Sequence, residues 1–131
     1  MHKFDARVYF SDTDAGGIVY HTHYLDWAEH ARTEMLREVL PNLEQSNLEK
    51  DGFVFVVKSI EVDYHCPAIL DDIVTVYTDM ERIENFYAII KQDIKREDTL
   101  LCSIRTKVAF ISKETKRPVR IPEKMKMALS R

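Results

Sequence analysis

Two aspartates and a glycine pair stand in the order Asp12-Thr13-Asp14-Ala15-Gly16-Gly17, and Ile18-Val19-Tyr20-His21-Thr22-His23-Tyr24 follows at once. A carboxylate in such a lead-in can do acyl-transfer chemistry if it lies beside the start of a helix. The first N–H groups of a helix have no internal acceptors, and the aligned peptide dipoles leave that end partly positive. A carbonyl oxygen aimed at those amides is polarised, and Asp14 could attack its carbon or activate a water to do so. Gly16 and Gly17 let the backbone approach a ligand with no side chain in the way. The same helix end favours an ionised aspartate, which suits a nucleophile and makes a somewhat weaker base. The plain alternative for Asp12 and Asp14 is a turn or cap role, since Asp-x-Asp-x-Gly is also an ordinary turn sequence.

The surrounding elements must place these groups. Phe4, Ala6, Val8 and Phe10 alternate with Lys3, Asp5, Arg7 and Tyr9, the period-two pattern of a strand with one buried face. Residues 11–17 are turn formers and make a loop. From Tyr24 the period changes: Tyr24, Trp27/Ala28, Ala31, Met35 and Val39 recur every three or four residues, with charged residues between. This spacing predicts an amphipathic helix, with Thr22 as N-cap and a stop at Leu40-Pro41. After a polar connection from Asn42 to Asp51 and Gly52, strands are expected over Phe53–Cys66, Asp72–Ile83, Phe86–Lys95 and Leu100–Ile111. These read as mutually adjacent antiparallel strands. Ser112–Pro122 reads as a basic loop and Glu123–Leu129 as a terminal helix.

The order strand, helix, four strands makes an α+β domain in which one helix carries most of the non-strand apolar surface. One helix covers one face of a five-stranded sheet, so an edge and part of the surface call for a second copy of the chain. The 131 residues fit a single domain spanning 1–131, large enough for a core without a metal or disulfide staple. Hydrophobic residues at 45% and charged residues at 31% exclude a disordered polymer and a membrane span. Nineteen Lys and Arg against 22 Asp and Glu give a net charge of −3, the wrong sign for a nucleic-acid or anionic-membrane binder. Cys66 and Cys102 each sit in an apolar run, and no secretory h-region follows Met1. Buried thiols in a reducing cytoplasm are expected.

The stretch Asp12 to Tyr24, followed by Glu29-His30-Ala31-Arg32-Thr33-Glu34-Met35-Leu36, resembles the signature of the hot-dog-fold acyl-CoA thioesterases. Within them it is most similar to the 4-hydroxybenzoyl-CoA thioesterase type and its YbgC-like branch, associated with the Tol-Pal system. Tyr64-His65-Cys66-Pro67-Ala68 with Asp71-Asp72, and Thr115 to Pro122, resemble further family segments in the right order. The resemblance implies a five-stranded antiparallel sheet wrapped around one long helix, with active sites at a dimer interface and dimers paired into tetramers. It implies that Asp14 is the catalytic carboxylate, and that the backbone N–H of His21 meets the thioester oxygen at the helix start. The His21 side chain is implicated as well. Some members of the branch carry a functional tyrosine where this chain has Phe10. Tyr9, one residue away, faces the other side of the expected strand.

The expected substrate is an acyl-CoA, with coenzyme A entering as part of it and no separate cofactor. Gly16, Gly17, Tyr24 and Arg117 are the expected substrate contacts, although Tyr24, Trp27 and Met35 also carry the apolar pattern of core residues. Phe53, Val54, Phe55 and Val56 fall where the family fold puts the neighbouring subunit's site. Lys107, Lys113, Lys116, Arg117 and Arg120 could hold coenzyme A phosphates or the acidic surface of an acyl carrier protein. A solvated loop is the competing reading. His21-x-His23 with Asp12, Asp14, His30 and His65 offers zinc-binding residue types, but no metal is expected: the His-x-His pair diverges on entering a helix, no Cys or Glu sits at a known ligand spacing, and the resemblance implies none. Two rivals remain, a hot-dog hydratase or dehydratase and a non-catalytic module that binds acyl-CoA or acyl carrier protein.

Overall fold

The computed structural model describes residues 1–39 and 52–130, so the expected connection over Asn42 to Asp51 and the stop at Leu40-Pro41 lie outside the described residues. The elements are β1 (His2–Arg7), a 3-10 turn (Phe10–Asp12), α1 (His23–Val39), β2 (Phe53–Tyr64), β3 (Ile73–Ile83), β4 (Tyr87–Arg96), β5 (Thr99–Ser112) and α2 (Glu123–Leu129). The strands form one sheet in the order β1-β3-β4-β5-β2, with every pair antiparallel. This is the expected α+β, hot-dog architecture.

β3, β4 and β5 are sequential neighbours, as the short Glu84-Asn85 and Glu97-Asp98 turns require. β2 departs from the expected adjacency. It pairs with β5, with Phe53 opposite Ser112 and Tyr64 opposite Cys102, and so becomes an edge. The connection from Tyr64 to Ile73 carries the chain to the far side of the sheet, where β3 pairs with β1.

The stripe Tyr24, Trp27, Ala28, Ala31 and Met35 is buried, as its spacing dictates. Most of it packs with Val8, Val74, Val76, Ile94, Leu101 and Ile104 on the sheet's inner face. Gln92 is fully buried there, and its Nε2 donates to the Ala28 carbonyl at 2.9 Å and to Thr78 Oγ1 at 3.0 Å. Its Oε1 accepts from Arg32 at 3.2 Å, so the helix is tied to the sheet by polar contacts as well as by packing. In β1 the expected alternation holds through Val8, then fails: Phe10 is 80% exposed. Pairing with β3 ends at Arg7, the Val8 N–H donates to the Asp72 carbonyl, and the chain turns into the 3-10 segment.

Candidate functional site

Residues 12–20 fold into a small hairpin that leads into α1. The Tyr20 N–H donates to the Asp12 carbonyl at 2.8 Å, Thr13 bridges Val19, and the Asp14 N–H donates to the Ile18 carbonyl at 2.9 Å. The tip is a turn closed by Gly17 N–H to the Asp14 carbonyl at 3.0 Å. Gly17 has φ +81, a left-handed conformation that glycine adopts without penalty. Asp14 Oδ1 accepts the Gly16 N–H at 2.8 Å, the geometry of an Asx turn. The turn role expected for such an aspartate is therefore present, and it occupies one oxygen only. Asp14 is exposed, and among the described residues Oδ2 has no hydrogen-bond partner.

The hairpin hands the chain to α1 through Tyr20 and His21. The His23 N–H donates to the Tyr20 carbonyl and the Leu25 N–H to that of Thr22. Thr22 thus sits just before the helix, as expected, through its backbone carbonyl. The His21 N–H donates to no acceptor among the described residues, while the His21 carbonyl accepts the Tyr64 hydroxyl at 2.8 Å from the end of β2. The exposed His21 ring lies against Tyr20 and Tyr64, with centroids at 4.5 Å and 6.2 Å. Partial desolvation pushes the half-exposed Tyr64 phenol above its ordinary pKa, which favours the protonated donor.

His23 turns the other way, as expected for His-x-His entering a helix. Its Nδ1 lies 2.8 Å from Asp12 Oδ1. Sequence reasoning missed this pair, because only the folded hairpin of residues 12–20 brings the two residues together.

Tyr24 proves to be a core residue. Its ring is 3% exposed and packs on Trp27 and Tyr64, and its phenolic oxygen accepts the Ala68 N–H at 2.9 Å. The first turn of α1 lies against the β2–β3 connection, so the side chain expected to touch substrate is enclosed in the protomer. Arg117 is not brought to Asp14 within one chain. Its carbonyl accepts the Ser112 N–H at the end of β5, whereas Leu101, near the start of that strand, binds His65 and Cys66 beside the hairpin end of the sheet. Eleven strand residues span about 36 Å. Phe53 to Val56 lie at that same distant end of β2. Cys66 is exposed rather than buried, because β2 ends at Tyr64 and leaves it on a loop; Cys102 is buried.

A cavity of about 350 Å³ lies between α1 and the sheet, lined by Arg32, Met35, Phe55, Met80, Ile90 and Val108 among others. None of its lining residues belongs to the hairpin. No three His, Cys, Asp or Glu side chains among the described residues converge as a metal cage. No helix among them is long and apolar enough to cross a membrane.

The family model that matches this chain, over residues 8–129, is the thioesterase-like superfamily. The acyl-CoA thioesterase YbgC of Haemophilus influenzae is 39% identical over 126 residues, covering 96% of this chain and 92% of that protein. The acyl-CoA thioester hydrolase YbgC of Escherichia coli O157:H7 is 35% identical over 124 residues, 94% of this chain and 91% of its own. Among solved structures, a probable thioesterase from Bartonella henselae superposes with a TM-score of 0.85 at 32% identity, over 92% of this chain and 98% of that one.

Proposed function

The chain belongs to the thioesterase-like superfamily, and on that premise we propose that it is an acyl-CoA thioesterase, hydrolysing an acyl-CoA to a free carboxylic acid and coenzyme A. The observation that carries the reading is the Asp14 carboxylate, half-held by Gly16 with Oδ2 open, on a hairpin that ends at the start of α1. Likeness to relatives named as acyl-CoA thioesterases supports the substrate class.

In this mechanism the thioester oxygen accepts the unpartnered His21 N–H, and the positive end of α1 stabilises the charge that develops there. Asp14 Oδ2 either attacks the carbonyl carbon or removes a proton from an attacking water. In both cases the C–S bond breaks, the sulfur leaves as thiolate and is protonated, and one water is consumed overall. The His21 imidazole assists beside the thioester. No metal or separate cofactor takes part. The long β2 edge, with Phe53, Val57, Ile60 and Tyr64 exposed, supports a homodimer or homotetramer. An acyl carrier protein is the second partner class, met by the basic segment around Arg117. The enzyme would act in the cytoplasm.

The test is a thiol-release assay over short aliphatic, aromatic and long-chain acyl-CoAs, with wild type beside Asp14→Asn. Hydrolysis of a panel member that vanishes in the variant supports the reading, and a wild-type rate in Asp14→Asn refutes the mechanism. Saturable acyl-CoA binding without hydrolysis would favour a binding module. A single turnover in isotope-labelled water separates the two routes: label in Asp14 means an anhydride, label only in the product means direct attack by water.

A further inference from the structure

We propose that Asp12 and His23 form a clasp that fixes the distance between the Asp14 carboxylate and the start of α1, with His23 as a positioning residue. The proposal rests on Asp14 being the reacting carboxylate.

Asp12 is used completely. Its Oδ1 meets His23 Nδ1 at 2.8 Å and its Oδ2 accepts the Tyr9 N–H at 2.8 Å. Its N–H donates to the Tyr9 carbonyl at 2.9 Å, and its carbonyl accepts the Tyr20 N–H at 2.8 Å. The Asp12 and His23 side chains are 16% and 29% exposed, so the contact is partly shielded from water. A carboxylate against Nδ1 assigns the proton to that nitrogen. It also places a negative group at the helix start, where the dipole favours it.

The sequence positions give the clasp its meaning. Asp12 lies two residues before Asp14, and His23 two residues after His21. The Asp12–His23 contact therefore closes a ring of chain that contains both groups assigned to the chemistry. Inside that ring the Thr13–Val19 bridge and the Gly16 contact hold Asp14 to the hairpin. The hairpin is held to the helix by the clasp and by the His23 N–H, which donates to the Tyr20 carbonyl. A side chain that only capped a turn would affect stability. One that closes this ring also sets how well carboxylate and amide converge on one carbonyl.

The experiment compares His23→Ala with His23→Asn, whose amide nitrogen can stand where Nδ1 stands and donate to Asp12. His23→Ala is expected to lose about 10²-fold in kcat, the scale of a misplacement near 1 Å, with KM within about twofold. His23→Asn is expected to recover to within about threefold of wild type. Equal rates in the two variants, or a lowered melting temperature with kcat intact, overturn the proposal. Amide hydrogen exchange gives a readout that needs no turnover: protection at Tyr20 and Asp14 falls in His23→Ala and returns in His23→Asn, and unchanged protection overturns the clasp. If Asp14→Asn keeps the wild-type rate while exchange behaves as expected, the reading of Asp14 has failed and the clasp has not.

Discussion

The two adjacent glycines at the hairpin tip should respond oppositely to the same added methyl. At Gly17 a Cβ meets nothing within 4 Å, so the cost of Gly17→Ala lies in the backbone at φ +81. A left-handed alanine costs about 1–2 kcal/mol, and the stiffer unfolded chain returns about 0.4–1 kcal/mol. The net loss is on the order of 1 kcal/mol, or about 3–5 °C in Tm for a chain of this size. At Gly16 the backbone is outside that region, and the new Cβ would lie 3.2 Å from Asp14 Oδ1. The carboxylate must give by a few tenths of an ångström, so the group that moves is the one assigned to catalysis. Since a full ångström costs about 10²-fold, Gly16→Ala should lower kcat by about threefold to tenfold. Its Tm should stay within about 2 °C, because no strained dihedral is added. Thermal unfolding and thiol release on the best acyl-CoA read both effects. A Gly16→Ala enzyme with wild-type kcat, in a protein that Asp14→Asn inactivates, would refute the claim that this contact sets the carboxylate.

Two further predictions concern ionisable groups whose pKa is moved by their surroundings. Burial pushes the Cys102 thiol up to about 12, from an ordinary value of 9.0. At pH 8 its thiolate fraction is therefore about a thousandfold below that of an ordinary thiol, while Cys66 is exposed. A thiol reagent should titrate one cysteine quickly and the other only after unfolding, and two fast thiols would contradict the packing. At Asp72, burial raises the carboxyl pKa, but the Ile69 N–H and the Arg96 guanidinium at 2.7 Å outweigh it and hold the group below its ordinary 3.8. A depressed folded pKa gives stability that is present above the unfolded value and is lost as pH falls through the folded one. In urea unfolding Asp72→Asn should be weaker than wild type at pH 7, with the gap closing on the acid side of pH 4; a gap independent of pH would rule out the ion pair as its source.

The parts of this fold legible in sequence are those set by local spacing. The stripe from Tyr24 to Met35 fixes which face of α1 is buried, and two short turns fix the β3-β4-β5 meander. The place of β2 was not legible, because alternation says that a strand has two faces and not which strand lies beside it. Phe10 continues the apolar alternation in sequence yet lies past the last β1 pairing, so its register has no partner strand to enforce it. At the site, Asp14 and the glycines are marked by residue type. The Asp12–His23 contact is not, because the partners stand eleven positions apart and only the folded hairpin brings them together. Tyr24 fits both readings by type, and what the structure adds is its burial in the core with the Ala68 N–H on its oxygen.

The distance between Arg117 and Asp14 in one protomer becomes an argument about assembly. Among the described residues β2 is an unpaired edge of twelve residues with exposed apolar side chains, and a two-fold axis can pair it only with its own copy, antiparallel. Full pairing would set Phe53 opposite the Tyr64 position of the second copy, and Tyr64 holds the His21 carbonyl. Because Phe53 pairs with Ser112, which binds Arg117, the same two-fold would deliver Arg117 to the other copy's hairpin. Arg117→Ala should then raise KM for acyl-CoA severalfold with little change in kcat. In a mixed dimer of Asp14→Asn with Arg117→Ala, the one surviving Asp14 belongs to the Arg117→Ala chain. If Arg117 acts across the interface, that site receives an intact arginine and shows the wild-type KM. A surviving site with the raised KM would mean that Arg117 serves its own chain, and the antiparallel β2 pairing would be wrong.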